Sequence, residues 1–181
     1  FVVAAFQLNA LCGALSVPAL AIVFFYSLTK RFTWGSHLVL GLALSIAPVG
    51  GWLAIAGHFA AVPLWLAAAV GFWVAGFDTI YACQDAEFDR REGLHSVAAC
   101  LGVARALRVA RVLHVGAVAA LVLLHALTPL HPLYLAGVAT VAALLAWEHT
   151  LVRPDDLSQV MRAFNLNGWV SLGYFAFTAA A

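Results

Sequence analysis

Charged residues are scarce in this chain. Lys, Arg, Asp and Glu together make up 9% of the 181 residues, while hydrophobic residues make up 65%. Soluble domains contain about 25% charged and about 45–50% apolar residues, so the composition excludes an ordinary water-soluble fold. We therefore expect membrane lipid to surround the protein, and we expect no nucleic-acid partner.

Cysteine is also scarce. Cys12, Cys83 and Cys100 lie far apart and form no CxxC pair, which argues against zinc and redox motifs and predicts three small buried residues. The seven histidines include no HExxH motif, so we expect them to have interfacial or packing roles. These histidines are His37, His58, His95, His114, His125, His131 and His149.

Long apolar runs are abundant. Five runs nearly free of charge have about the 20-residue length that a helix needs to cross a bilayer, and a sixth is shorter. The five cover 37–56, 61–82, 109–127, 132–150 and 164–181, and the shorter one covers 16–28. They are uniformly apolar, which favours helices over the alternating strands of a membrane barrel. The predicted fold is all-α: a polytopic transmembrane bundle of about six full spans plus the end of a further one, in a single domain over residues 1–181.

The basic residues are confined to three segments. They are Lys30, Arg31, Arg90, Arg91, Arg105, Arg108, Arg111, Arg153 and Arg162. Six alternating spans place all three segments on one face of the membrane, and the predicted turns at 12–17, 57–63 and 128–132 on the other face carry none. The positive-inside rule makes the basic face cytoplasmic. Pro18 falls near a predicted helix start, whereas Pro48 predicts a kink inside a span.

The acidic segment, residues 78–96, holds most of the carboxylates. Five of the eight acidic residues lie between Asp78 and Glu92. A continuous helix would place Asp78, Tyr81, Asp85 and Asp89 within a sector of about 80°. Asp85 and Asp89, one turn apart, can hold Mg²⁺, which commonly bridges carboxylates to phosphates. Asp78 lies deeper in the apolar span, where an ionisable residue is functional by default. The pattern therefore predicts a metal–diphosphate site.

Cationic side chains on the same face can neutralise the charge that develops when a diphosphate leaves. Lys30 and Arg31 are the candidates, and Arg31 is favoured because a guanidinium binds an anion through two parallel hydrogen bonds. The alternative is that the acidic segment is only a solvated helix end with salt bridges to Arg90 and Arg91. Ser96 either caps the next helix or reaches a phosphate oxygen.

Two motifs carry a resemblance to a known family. The pattern D-x-x-Y-A-x-x-D-x-x-x-D-x-x-x-G-x-x-S over residues 78–96 resembles the second Asp-rich motif of the UbiA superfamily of intramembrane prenyltransferases. The run Y-S-L-T-K-R-F-T over residues 26–33 resembles the family's Y-x-x-x-K-R-[FY]-T, followed by a span with a proline near its middle. The resemblance covers essentially the whole chain and is to the 4-hydroxybenzoate polyprenyltransferase type.

The resemblance implies nine helices and two Asp-rich motifs that face each other across a cavity, with Mg²⁺ bridging them to an isoprenoid diphosphate. Asp85 and Asp89 would be metal ligands, and Asp78 a further catalytic residue in the cavity wall. The substrate-binding residues would be Tyr26, Lys30, Arg31, Tyr81 and Ser96. The first motif, N-D-x-x-D-x-x-x-D, has no counterpart in residues 1–181, so we expect an N-terminally truncated chain that is inactive alone.

The implied function is transfer of a polyprenyl group from an allylic polyprenyl diphosphate to a small aromatic acceptor such as 4-hydroxybenzoate, in ubiquinone or menaquinone biosynthesis. Dihydroxynaphthoate or a tetrapyrrole as acceptor stays open, and so does a non-catalytic transporter or scaffold. The CDP-alcohol phosphotransferases are disfavoured because their motif begins Asp-Gly, a pair absent from this chain. The expected location is a bacterial inner membrane, with the acidic segment cytoplasmic.

Overall fold

Nine α-helices make up the fold in a computed structural model that describes residues 1–181. They are α1 (Val2–Leu8), α2 (Ala10–Thr29), α3 (Ser36–Ala56), α4 (Ala61–Tyr81), α5 (Ala86–Arg91), α6 (Val97–Leu101), α7 (Val103–Ala126), α8 (Leu133–Leu151) and α9 (Val160–Ala180). The only β-type pairing is an isolated bridge between Arg153 and Asp156. The short helices α5 and α6 lie between the long helices α4 and α7.

Five helices are long and apolar enough to cross a membrane: α2, α3, α4, α7 and α8. Helix α9 has a similar length, 21 residues, but Asn165 and Asn167 make it less apolar. Large apolar side chains cover the outside of the bundle; Ile55 is 93% exposed and Val112 is 72% exposed. Such a surface is unfavourable in water and suits lipid. The all-α transmembrane bundle predicted from the sequence is confirmed.

The predicted turn at 12–17 is wrong. Helices α1 and α2 meet at Asn9, whose backbone is extended, with φ −167° and ψ 167°. The Asn9 Oδ1 atom accepts a hydrogen bond from the Cys12 backbone N–H at 2.9 Å, and Nδ2 donates to the Leu53 carbonyl of α3 at 2.8 Å. An asparagine cap satisfies a free N–H group of the first turn, which is why the helix begins here. Pro18 therefore lies inside α2 rather than at its start.

The long helices approach closely where a glycine faces a neighbour. A Cβ on Gly41 of α3 would collide with the carbonyl oxygen of Gly71 in α4, and a Cβ on Gly76 of α4 would collide with the His114 ring of α7. Small residues allow such close backbone approach between membrane helices. Pro48 lies inside α3, as predicted, and the helix continues beyond it.

The segment that carries the carboxylates is packed onto the bundle. Ala86 of α5 and Val97 and Ala98 of α6 are at most 4% exposed, and they belong to one apolar cluster with residues of the long helices. The other members of that cluster are Ile80, Cys83, Ala106, Leu107, Ala110, Val152, Val160 and Ala163. The acidic segment is thus packed against the ends of the membrane-spanning helices.

Candidate functional site

The acidic segment is not one continuous helix, so the prediction of a single carboxylate-bearing face is wrong. Helix α4 ends at Tyr81, and four successive N–H groups over residues 83–86 bond to carbonyls three residues back, at 3.1 to 3.5 Å. This winding has about 3.0 residues per turn instead of 3.6, which rotates the side chains that follow it. Asp85 and Asp89 therefore leave the face that Asp78 occupies on α4.

Asp89 pairs with Lys30 across the mouth of the bundle. The Lys30 Nζ atom lies 3.2 and 3.1 Å from the two carboxylate oxygens of Asp89. The Asp89 side chain is 2% exposed and the Lys30 side chain 33%, so the carboxylate is buried and the ammonium remains accessible. The His95 backbone N–H also donates to the Lys30 carbonyl at 2.7 Å, which fixes the end of α2 beside the acidic segment.

Asp78 pairs with His37, for which the sequence predicts only a packing or interfacial role. The His37 Nδ1 atom lies 2.6 Å from Asp78 Oδ2, and the His37 side chain is 2% exposed against 20% for Asp78. The Val97 backbone N–H donates to His37 Nε2 at 3.4 Å. A sequence signal existed: His37 opens a span directly after the 26–33 motif, and a carboxylate buried in a membrane needs a partner.

Asp85 and Arg31 have no such partners. Asp85 is half-buried and does not cap α5, and none of the ion pairs includes it. Arg31 is exposed and forms no ion pair. Lys30 makes the direct contact with Asp89, whereas the preference for Arg31 as the ligand of a substrate anion stays a prediction.

The two tyrosines predicted for the site lie on different sides of it. Tyr26 of α2 is half-buried and within electrostatic range of the Asp78 carboxylate. The Tyr81 ring packs on Phe164 of α9, with 5.0 Å between the ring centroids. Tyr26 is thus within electrostatic range of Asp78, whereas Tyr81 belongs to an aromatic contact between α4 and α9.

Ser96 caps α6. Its side chain is buried, and its Oγ atom accepts a hydrogen bond from the Ala99 backbone N–H at 3.1 Å. Gly93, just beyond α5, has a φ of +67°, the left-handed conformation that commonly ends a helix. Of the two alternatives for Ser96, the structure therefore supports capping.

An apolar cavity of about 720 Å³ lies between α1, α2, α3 and α4. Its wall extends along α3 from Leu38, the residue next to His37, to Leu53. Only Cys12, Ser16 and Ser45 give it polar atoms from side chains. Such a wall is chemically suited to a long hydrocarbon, and none of Asp78, Asp89 and Lys30 belongs to it.

A second polar group is buried among α4, α8 and α9 and was not predicted. The Trp73 Nε1–H donates to Asn167 Oδ1 at 2.7 Å, and Asn167 Nδ2 lies 3.5 Å from Glu148 Oε1. Glu148 is fully buried. Nearby in α7 and α8, His114 Nδ1 lies 3.0 Å from His149 Nε2. These contacts join spans far apart in sequence, and interhelical hydrogen bonds of this kind stabilise membrane bundles.

The Asp155–Asp156 pair lies outside the acidic segment, in the loop between α8 and α9. Both residues are exposed. Hydrogen bonds from Ser158 hold the pKa of Asp156 below its ordinary value, and the Ser158 backbone N–H donates to Asp156 Oδ1 at 3.0 Å. The pair shapes its own turn and does not replace the absent first motif.

The expectation of three buried cysteines is confirmed for Cys83 alone. The difference in burial between Cys83 and Cys100 predicts that their thiols react at different rates. Cys83 is 1% exposed, and burial raises the pKa of its thiol to about 12, whereas Cys100 is exposed. Since the thiolate is the reactive form, N-ethylmaleimide at pH 8 should label Cys100 in the folded protein and leave Cys83 unlabelled until denaturation. Peptide mass spectrometry measures this, and equal labelling of both thiols in folded protein would contradict the packing of the acidic segment.

The fold and site define a polytopic membrane protein with a carboxylate-rich segment at one mouth of the bundle. A family model described as the UbiA prenyltransferase family matches residues 1–172. The chain belongs to this family. A solved structure, the apo structure of a UbiA homolog from Aeropyrum pernix K1, has a TM-score of 0.88 and 33% identity, and the match covers 99% of this chain and 67% of that one.

Two curated relatives show how much of the family's length is present. The mitochondrial 4-hydroxybenzoate polyprenyltransferase of Caenorhabditis elegans is 32% identical over 94% of this chain and 48% of its own length. The 4-hydroxybenzoate octaprenyltransferase of Xanthomonas campestris pv. campestris (strain B100) is 36% identical over 97% of this chain and 58% of its own. The chain thus spans about half to three-fifths of the curated relatives it matches.

Proposed function

We propose that this chain takes part in transfer of a polyprenyl group from an allylic polyprenyl diphosphate to an aromatic acceptor such as 4-hydroxybenzoate, in quinone biosynthesis. The observation that carries the proposal is the location of Asp78, Asp85, Asp89 and Lys30 at one mouth of the bundle, beside a long apolar cavity. The names of the relatives supply the reaction and the acceptor class.

The residues present fit Mg²⁺ as the cofactor. Asp85 and Asp89 offer the hard oxygen atoms that Mg²⁺ prefers. No three Asp, Glu, His or Cys side chains of this chain converge closely enough to hold a metal by themselves. Mg²⁺ in phosphate-transfer sites is commonly bound by one or two carboxylates plus waters and substrate phosphate, so a sparse protein ligand set is compatible with it. When bound, the cation would help neutralise the charge on the leaving diphosphate.

In this proposal charged residues of the chain bind the diphosphate, and other residues line the site around the reacting carbon. Lys30, with its accessible ammonium, binds the diphosphate together with Arg31, while the carbon–oxygen bond breaks and a ring carbon of the acceptor bonds to the allylic carbon. The ring then loses a proton to the departed diphosphate or to water, which restores its aromaticity. Asp78 and Tyr26 line the region next to the breaking bond, and Tyr81 of α4 is held by its contact with Phe164 of α9.

The apolar cavity accounts for a membrane location. Its wall consists largely of Leu, Ile, Ala and Phe, which suits a polyprenyl tail. A tail that enters from lipid would stay out of contact with water, so its apolar surface keeps a favourable environment. We assign the mouth that carries the basic residues to the cytoplasmic side of a bacterial inner membrane by the positive-inside rule. A diphosphate made in the cytoplasm would then reach the site head first.

The test is a transfer assay on the protein as its gene encodes it, purified in detergent. Geranyl diphosphate, 4-hydroxybenzoate and Mg²⁺ should give a ring-prenylated acid, detected by mass spectrometry, and chelation of the metal should stop its formation. Mg²⁺ and diphosphate together should also raise the melting temperature, because ligands that bind only the folded state stabilise it. A protein that yields no product with any aromatic acceptor and shows no such stabilisation is a transporter or scaffold.

A further inference from the structure

We propose that His37 is a positioning residue for the transfer site, which holds the Asp78 carboxylate in one orientation and connects it to the end of the acidic segment. The inference rests on the proposed function, since Asp78 is assigned there to the cavity wall. It concerns a residue that lies outside both sequence motifs, 78–96 and 26–33.

The two ring nitrogens of His37 have separate partners. Val97 N–H donates to Nε2 at 3.4 Å, so Nε2 is the unprotonated nitrogen and Nδ1 carries the hydrogen. The Nδ1–H then donates to Asp78 Oδ2 at 2.6 Å. His37 therefore bonds to α4 through one nitrogen and to the first residue of α6 through the other.

The position of each residue on its helix makes this contact necessary for Asp78. Asp78 lies in the last turn of α4, where the helix dipole disfavours a negative charge, and the surroundings are apolar. His37 is the second residue of the 21-residue helix α3, whose first turn favours a negative charge nearby. The His37 contact thus offsets what α4 and burial cost the carboxylate.

Burial distinguishes His37 from a residue that only fills space. An imidazole with both nitrogens paired can be fully buried without a large desolvation penalty, and the His37 side chain is 2% exposed. The Asp78 side chain keeps 20% exposure, so one side of the carboxylate remains open. Fixing Oδ2 on His37 leaves Oδ1, which makes no hydrogen bond within the protein, in a defined place for substrate.

Displacement of a group in an active site lowers the turnover rate far more than it lowers the affinity for substrate. A displacement of about 1 Å can lower turnover about 100-fold. We expect His37→Leu, which keeps most of the volume and removes both hydrogen bonds, to lower kcat about 10- to 100-fold with little change in the KM for the prenyl diphosphate. His37→Gln can donate to Asp78 from its amide NH₂ and accept from Val97 with its oxygen, so it should recover most of the turnover.

The experiment uses the protein as its gene encodes it, with geranyl diphosphate and 4-hydroxybenzoate. The matched control is His125→Leu, because His125 lies in α7 towards the opposite end of the bundle, stacked on Tyr134. A double-mutant cycle with Asp78→Asn completes the set, and positioning through Asp78 predicts that His37→Leu adds little to the loss already caused by Asp78→Asn. Turnover within twofold of wild type for folded His37→Leu, or losses that simply multiply in the double variant, would overturn the proposal.

A second readout does not depend on activity. In protein with ¹⁵N-labelled histidine rings, the His37 ring, identified by the signal that His37→Leu removes, should be protonated on Nδ1 alone. Asp78→Asn should shift that resonance, while Glu87→Gln leaves it unchanged. If the His37 ¹⁵N resonance is unchanged in Asp78→Asn, the positioning contact does not exist, even if prenyl transfer is intact. A wild-type protein that transfers no prenyl group rejects the proposed function, whereas the ring resonance still reports on the contact.

Discussion

Asp89→Asn should abolish most prenyl transfer, with a loss of about 10²- to 10³-fold in kcat, the range seen when a preorganised electrostatic contact in an active site is removed. The Asp89 side chain is 2% exposed, and both of its oxygens contact Lys30. The amide keeps the shape of the carboxylate but removes the charge that attracts a divalent cation and holds the Lys30 ammonium. Initial rates at saturating Mg²⁺ measure the loss.

Glu87→Gln is the matched control for this prediction. Glu87 lies on the same short helix, two positions before Asp89, but its side chain is 73% exposed and pairs only with Arg91. Exposed ion pairs of this kind contribute little to stability. Glu87→Gln should therefore retain wild-type turnover. Equal losses in the two variants would mean that the segment acts through its overall negative charge and not through Asp89.

Gly41→Ala should clearly lower the stability of the bundle. The new Cβ would meet the carbonyl oxygen of Gly71, a backbone atom of α4 that cannot rotate away. Overpacking of this kind costs about 1–3 kcal/mol. For a chain of this size, that corresponds to a melting temperature lower by about 2–12 °C, at about 2–4 °C per kcal/mol. Thermal unfolding in detergent, followed by size-exclusion chromatography, measures the shift.

Gly51→Ala is the control for Gly41→Ala. Gly51 lies on the same helix, and a Cβ there would meet nothing within 4 Å. Because alanine is favoured over glycine inside a helix by about 1 kcal/mol, this variant should be as stable as the wild type or more so. Destabilisation by Gly51→Ala of the same size would show that α3 tolerates no substitution and that the Gly41–Gly71 approach is not the cause.

The spans could be predicted because their signal is local. A run of about 20 apolar residues specifies a membrane helix with little help from its neighbours. The boundary between α1 and α2 was missed because it depends on one side chain, Asn9, that bonds to α3 as well as to its own helix. Pro18 gave the wrong signal, since prolines occur inside membrane helices as well as at their starts.

The acidic segment could be located from sequence, but its internal geometry could not. Clustering of carboxylates after a span identified residues 78–96, while the 3₁₀-like turn over 83–86 changed which of them share a face. The partnership of Lys30 with Asp89 joins residues 59 positions apart, and spacing alone cannot specify such a distance. Charge complementarity on one face of the membrane was the only guide to it.

His37 and the buried Trp73–Asn167–Glu148 group were missed for a related reason. Trp73 and Asn167 are 94 positions apart, and each reads as an ordinary interfacial or packing residue in its own span. Buried polar groups need hydrogen-bond partners, and for these residues the partners lie on other helices. Their importance can therefore be recognised only once the packing of the helices is known.

The most direct measurement of the central claim is electron–nuclear double resonance on Mn²⁺ bound in place of Mg²⁺, with diphosphate present. Mn²⁺ accepts the same carboxylate and phosphate oxygens. If the acidic segment binds a metal-bridged diphosphate, the wild-type protein and Glu87→Gln should show Mn²⁺ coupled to ³¹P, and Asp89→Asn should lose that signal. Protein-bound Mn²⁺ with no ³¹P coupling, or a coupling unchanged in Asp89→Asn, would contradict the assignment of this segment as the metal–diphosphate site.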